Sequence, residues 1–210
     1  NIKYMKLIIQ IPSFNEEESL PITLSALPRQ IDGVDKIEWL VIDDGSTDET
    51  SKIAIDHGAD YVIRHNRNKG LAKTFITGLN ESIRLGADII VNTDADNQYE
   101  ADDIPKLIAP VLSGDSDIVI GARPIETNQY FSKTKRLLQK IGSWVVRSVS
   151  FTSIPDTTSG FRAISRDAAQ QMVVFSEYTY TLETIIQAGH RKLSISSVPV
   201  RVNADLRPSR

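Results

Sequence analysis

The sequence predicts an α/β chain built on a mostly parallel central sheet flanked by helices. Three observations carry that expectation. Short apolar runs of strand length alternate with helix-like stretches through the first half of the chain. Most of those stretches open near Pro, Ser, Thr or Asp, and most stop at or near Gly, the punctuation of real helix ends. A polar cluster follows each apolar run, so the clusters should gather at the carboxyl ends of the strands, where open α/β sheets bind ligands.

"KLIIQI" (6–11) is continuously apolar, as suits a strand buried on both faces. Residues 19–27 suit a helix, with Pro21 tolerable only in its first turn. "EWLVIDD" (38–44) is a second strand, and 47–57 a helix opened by Ser, Thr and Asp caps and closed by Gly58. "YVIRH" (61–65) is a third strand, followed by a helix over 71–85 that ends at Gly86. "ADIIVNTD" (87–94) is a fourth, followed by a helix over 102–112 with Pro105 near its start. "SDIVIGA" (116–122) is a fifth. The second half reads differently. A long helix is predicted over 131–151, a loop over 153–159, a strand over 161–165, helices over 166–174 and 181–188, and a last strand over 193–202. One domain over 1–210 is expected, with a doubly wound half at about 6–122 and a mixed half at about 123–210.

Composition narrows the class. The 210 residues are 40% apolar and 24% charged, enough for a substantial core. The net charge of −3 leaves no broad basic footprint for nucleic acid. No cysteine is present, which excludes disulfides and thiolate metal sites and fits a reducing compartment. The three histidines, His57, His65 and His190, are scattered, which argues against an imidazole metal site or a Ser-His-Asp triad. No apolar run approaches the roughly 20 residues needed to span a bilayer, and no signal peptide opens the chain. Met5 in "NIKYMK" is the expected native start, and a membranous segment is the expected continuation beyond "RPSR".

The rim clusters are "PSFNEE" (12–17), "DDGSTD" (43–48), "NRNKG" (66–70), "DADNQ" (94–98) and "GARP" (121–124). In extended backbone, residues i and i+2 share a side, so Asp94, Asp96 and Gln98 can face one point. Hard cations such as Mg²⁺ and Mn²⁺ prefer oxygen, and Mg²⁺ typically takes one or two carboxylates plus phosphates. The plainer alternative is that Asp96 or Asn97 starts the next helix. An EF-hand is excluded, because its glycine position holds Tyr99 and its terminal glutamate position holds Pro105. In "DDGSTDET", turn and capping chemistry accounts for Ser46 to Thr50. It accounts poorly for the adjacent carboxylates of Asp43 and Asp44, which make more sense bonded to a base or ribose. Lys69 is either a plain surface lysine or a phosphate-facing rim residue.

"IPSFNEEESL", "VIDDGSTDET", "NKGLAKTFITGL", "DADNQYEADDI", "GAR" and "DTTSGFRAISRDA" resemble, in that order, the motifs of family 2 glycosyltransferases with a GT-A fold. The closest resemblance is to the branch containing dolichol-phosphate mannosyltransferase and related polyprenyl-phosphate glycosyltransferases. It runs from about Ile8 to Arg166, with a weaker tail to Arg207. It implies a Rossmann-like GT-A sheet with a mixed acceptor-binding half. It also implies metal-dependent, inverting transfer from a UDP- or GDP-sugar to a polyprenyl phosphate at the cytoplasmic face of a membrane.

By motif, the resemblance implies that Pro12, Phe14, Asn15 and Glu16 line the nucleoside pocket, with Asp43 and Asp44 reading base and ribose. Lys69 and Gly70 would pack near the nucleotide. Asp94, Asp96 and Gln98 would hold Mg²⁺ or Mn²⁺, with Ala95 beside the nucleotide sugar. Arg123 would approach phosphate, and Ala72 replaces a glycine found in many relatives. Asp156 stands where relatives hold a candidate base; orienting Arg162 or another cation is its alternative role.

Between Tyr130 and Phe151 lie Lys133, Lys135, Arg136, Lys140 and Arg147 and no acid. Leu137, Leu138, Ile141, Trp144, Val145 and Val149 recur there at helical spacing. Such a helix can lie on an anionic membrane surface; a core-packed helix with a solvated basic face is the alternative. Arg136, Arg162, Arg201 and Arg207 are expected near the acceptor phosphate. Two other functions remain open on sequence: the same donor chemistry with a saccharide hydroxyl as acceptor, and a non-catalytic nucleotide-sugar-binding module.

Overall fold

A computed structural model describes residues 4–124, 155–172 and 180–203. Among them run strands β1 Lys6–Ser13, β2 Lys36–Asp43, β3 Tyr61–Arg64, β4 Ile89–Asn92, β5 Ile118–Ala122, β6 Arg162–Ser165 and β7 Ile195–Pro199. The helices are α1 Leu20–Ala26, α2 Thr50–Asp56, α3 Leu71–Arg84, α4 Ile104–Leu112, α5 Arg166–Gln171 and α6 Tyr180–His190. One seven-stranded sheet passes through both halves in the order β3-β2-β1-β4-β6-β5-β7.

The strand period of two explains the continuous apolar runs. Leu7, Ile9 and Ile11 of β1 meet Leu20 and Leu24 of α1 and Leu107 and Ile108 of α4. Ile8 points to the other face and joins Leu40 and Ile42 of β2, Phe75 and Leu79 of α3, and Ile185 of α6. A sheet covered on both faces needs apolar residues at every position. Gln10 of β1 is one of the exceptions. It is fully buried, and its Nε2 donates to Asn92 Oδ1 at 2.9 Å. Gly78 of α3 makes the room, since a Cβ there would stand 2.5 Å from Gln10 Oε1.

Pro21 and Pro105 fall in the first turns of α1 and α4, where the missing N–H costs nothing. Two helix starts differ from expectation. A 3-10 turn, Ala101–Asp103, precedes α4. Helix α2 begins at Thr50 behind Glu49, with no side-chain cap. Ser46 and Thr47 do not cap it, because they bond to the loop after β1 instead. The helix expected over 131–151 lies outside the described residues.

Strand β6 is antiparallel to both neighbours, β4 and β5, while every other pairing is parallel. The reversal matters for the site. It pairs Arg162, at the start of β6, with Asn92 at the end of β4. The loop before β6 therefore joins the carboxyl rim of the parallel strands.

Candidate active site

A cleft of about 310 Å³ opens at that rim. Pro12, Ser13, Phe14 and Glu16 enter it from β1 and its following loop, and Asp44 from the end of β2. Asn68, Gly70, Leu71 and Thr74 come from the loop after β3 and the start of α3. Asp94, Ala95 and Asp96 come from the end of β4. Four polar clusters that are far apart in sequence thus wall one space.

The loops after β1 and β2 are stitched together. Asn15 adopts a left-handed backbone, φ 54°, which asparagine tolerates better than most residues. Its N–H donates to Ser46 Oγ at 2.9 Å, and its Oδ1 accepts from Thr47 N at 2.8 Å. Glu16 N donates to Thr50 Oγ1 at 2.8 Å, and Glu17 accepts from Glu49 N at 3.0 Å. Asn15 itself is therefore a brace behind the cleft wall.

The adjacent acids of β2 also have protein partners. Asp43 is fully buried and does not reach the cleft. Its Oδ1 accepts from Ser46 N at 2.8 Å, its Oδ2 accepts from Ser51 Oγ, and Arg64 Nε lies 3.7 Å away. The sequence expectation that it reads the ligand's base or ribose is corrected: its carboxylate shapes the turn. Asp44 does line the cleft. It accepts His65 Nδ1 at 2.7 Å and Lys69 N at 2.9 Å on Oδ1, and Gly70 N at 2.8 Å on Oδ2. Lys69 meets this network through its backbone while its side chain is exposed.

Asp94 and Asp96 share the far end of the cleft. Burial pushes the Asp94 carboxyl up to about 7; the charge of Asp96 adds to the rise, and Arg123 and Arg162 oppose it. Asp96 Oδ1 accepts from Gln98 N at 3.0 Å, which curls the loop. Gln98 O in turn accepts from Asn203 N at 2.8 Å. Among the described residues no cluster of three or more acid or imidazole groups is placed to hold a metal. A carboxyl whose proton affinity is raised by burial, beside a second carboxylate, fits a hard divalent cation, which would relieve the repulsion at Asp94 and draw its remaining ligands from phosphate and water.

The arginines depart most from expectation. Arg123 and Asp156 form a two-point ion pair, Nε to Oδ2 at 2.7 Å and Nη2 to Oδ1 at 3.1 Å. Thr158 Oγ1 donates to Asp156 Oδ1 at 3.0 Å. Burial works to raise the Asp156 pKa, but the Arg123 guanidinium outweighs it and holds the carboxyl below its usual range. Asp156 thus orients Arg123, not Arg162, and its lowered pKa makes it a poor base. Arg162 is 1% exposed and cannot meet a lipid phosphate. Its guanidinium donates to Ser159 O at 2.6 Å, Thr184 Oγ1 at 2.7 Å and Thr181 O at 3.2 Å, tying the loop before β6 to α6. Arg201 pairs with Asp103, Nη2 to Oδ1 at 3.0 Å, beside an isolated Tyr99–Val202 bridge. It ties the segment after β7 to the 3-10 turn before α4, so its guanidinium has a protein carboxylate as partner where acceptor phosphate was expected. Arg136 and Arg207 lie outside the described residues.

Sequence reasoning missed two supports. Gly160 packs on Asp94: a Cβ there would lie 3.0 Å from Oδ1, and Gly160 N donates to Tyr99 Oη at 3.2 Å. Tyr99 stacks on Phe161 at 4.9 Å, which fixes that contact. His65 was set aside as one of three scattered histidines. Its place directly after "YVIR", on the rim, was the available signal.

Residues 8–173 match the family model for Glycosyl transferase family 2. The chain belongs to that family. It is 31% identical over 214 residues to the UDP-N-acetylglucosamine--dolichyl-phosphate N-acetylglucosaminyltransferase of Methanococcus voltae, covering 91% of this chain and 83% of that protein. It is 30% identical over 206 residues to the undecaprenyl-phosphate mannosyltransferase of Micrococcus luteus, covering 93% and 83%. In fold it resembles glucosyl-3-phosphoglycerate synthase from Mycobacterium tuberculosis, crystallised with Mn²⁺, UDP-glucose and phosphoglyceric acid. The TM-score is 0.79 at 21% identity, over 98% of this chain and 73% of that one. The sheet and its flanking helices are those of a GT-A glycosyltransferase.

Proposed function

We propose that this family 2 glycosyltransferase moves a sugar from a nucleoside diphosphate sugar to a polyprenyl phosphate, with inversion and with a divalent metal. The observation that carries the reading is the Asp94–Asp96 pair at the end of the cleft walled by β1, β2 and α3. The dolichyl- and undecaprenyl-phosphate transferases among its relatives support the acceptor class, and the Mn²⁺ in the fold neighbour supports the metal.

Asp94 and Asp96 would hold Mg²⁺ or Mn²⁺, with Gln98 in the same loop. When bound, the metal offsets negative charge on the diphosphate leaving group. The β1 loop and Asp44 would hold the nucleoside at the other end. An acceptor phosphate oxygen attacks the anomeric carbon from the face opposite the diphosphate, as the sugar–diphosphate bond breaks. That oxygen is already anionic near neutral pH, so no base is required. A saccharide hydroxyl would need one, and Asp156 is committed to Arg123. The paired Asp156 therefore favours the lipid acceptor over the saccharide. A lipid acceptor places the reaction at a membrane surface, and we assign it to the cytoplasmic face. No helix among the described residues is long and apolar enough to cross a membrane.

The test is incubation with radiolabelled UDP- and GDP-sugars, undecaprenyl phosphate in detergent, and Mn²⁺ or EDTA. Metal-dependent label should move into butanol. Label that transfers only to water-soluble saccharides would sink the lipid assignment, and binding without any transfer would favour the non-catalytic module.

A further inference from the structure

The two ends of the cleft treat their carboxylates differently, and that difference bears on the nucleobase. An ionised carboxylate offers about four lone-pair directions. At Asp44 three are filled by the protein. Oδ1 takes His65 Nδ1–H at 2.7 Å and Lys69 N–H at 2.9 Å, and Oδ2 takes Gly70 N–H at 2.8 Å. One direction, on Oδ2, remains for the cleft. Asp43 adds none, because it is fully buried and bonded to Ser46 and Ser51. Glu16 accepts from Ser19 Oγ and is close enough to Asp94 to help raise its pKa, which places it toward the metal end.

Guanine presents two adjacent donors, N1–H and the N2 amino group, and a carboxylate satisfies them by using both oxygens. Uracil presents a single donor, N3–H, between two carbonyls. One free acceptor direction matches uracil and leaves a guanine donor unpaired in a desolvated site. We propose that the cleft selects uridine diphosphate sugars over guanosine diphosphate sugars, and that His65 is the specificity-determining residue because it occupies the second oxygen of Asp44. The inference rests on the cleft being the donor site.

The local structure keeps this arrangement in place. His65 is 6% exposed and braced from behind, with Nε2 3.0 Å from Thr77 Oγ1 on α3. The loop carrying Lys69 and Gly70 is pinned from the other side. Gly45, at φ 76°, lies so close beneath it that a Cβ would stand 2.6 Å from the Arg67 carbonyl carbon. A side chain at 45 would push the loop, and its two amides, off Asp44.

The test is calorimetric titration of the whole chain with UDP, GDP and CDP in the presence of Mn²⁺. CDP matches UDP in ring size but carries an acceptor in place of N3–H, with its donor moved to the 4-amino group, so it tests whether a donor at N3 is what the cleft reads. UDP should bind about tenfold or more tighter than either competitor, the scale of one desolvated donor left unpaired. In His65→Ala the UDP-to-GDP ratio should fall toward one, and His65→Asn, which restores a donor to Oδ1, should recover much of it. GDP binding as well as UDP, or CDP matching UDP, overturns the proposal while the donor-site reading stands. An unchanged ratio in a folded His65→Ala removes His65 from it. Binding of none of the three overturns the donor-site reading itself.

Discussion

On the β1–β2 side of the rim, Asp43, Asp44 and Asp48 accept hydrogen bonds from backbone amides and neighbouring hydroxyls. At the end of β4, by contrast, Asp94 is pushed up to about 7 by burial and by Asp96. Both regions are acid-rich, so the number of acids does not distinguish them. What distinguishes them is whether the fold supplies donors to neutralise the charge. The first region is a wall preorganised before ligand arrives. The second holds unfavourable charge that an incoming cation would relieve. The Arg123–Asp156 pair, across the start of β6, belongs with the first kind, since each charge already has its partner.

The comparison breaks most visibly at Asp94. Asp94→Asn should reduce metal-dependent transfer by about a hundredfold or more, the scale of losing one strong electrostatic contribution to the transition state. It should leave the melting temperature of the metal-free protein unchanged or higher near neutral pH. The sign follows from linkage. A carboxyl whose folded pKa is raised contributes stability at low pH and loses it as pH rises through about 4 to 7. Over the same window the wild-type affinity for Mn²⁺ should climb and then level off above about 7, because a proton no longer has to leave. A flat Mn²⁺ profile together with a fall in stability in the variant would show that Asp94 is a structural acid like Asp44.

Asp156→Asn comes next, and here the effect should appear in stability. Breaking a buried ion pair from one side costs about 3–5 kcal/mol, readable by urea denaturation. The folded pKa of Asp156 is lowered, so its contribution is present above about pH 4 and is lost as pH falls below that. The variant should therefore show a flatter acid limb than wild type. A variant of unchanged stability with lost activity would restore Asp156 as a base. Asp44→Asn should cost less, about 1–3 kcal/mol, and should raise the donor KM more than it lowers kcat, because it loosens the wall and not the reacting end. Equal losses in kcat and kcat/KM would place Asp44 in the chemistry. The smallest effect is expected from Arg201→Ala. Its side chain is 63% exposed, and exposed pairs contribute little. A thermal melt should barely move, while a large loss of transfer would mean that Arg201 meets the acceptor after all.

Much of the fold was legible in the sequence because its signals are local. The apolar runs, the Pro and Gly punctuation and the polar clusters at strand ends each need only a few consecutive residues. They located all seven described strands and all six described helices to within a few residues. The late start of α2 has a tertiary cause: Ser46 and Thr47 looked like caps, and the loop after β1 recruited them. The cleft was legible too, since Phe14, Asp44, Gly70, Asp94 and Asp96 all line it.

By itself the sequence determined the family, the strand and helix order, and the rim on which the chemistry gathers. Only the tertiary structure decided the roles of the charged groups. Arg123 finds Asp156 across 33 residues, Asp44 finds His65 across 21, and Arg162 turns inward to Ser159 O and to Thr181 O and Thr184 Oγ1 of α6. The reversed direction of β6 brings the first and last of these to the site. A charge acts according to what lies opposite it at about 3 Å. Residue type and spacing fix what a side chain can offer, and the fold fixes whether that offer is already taken.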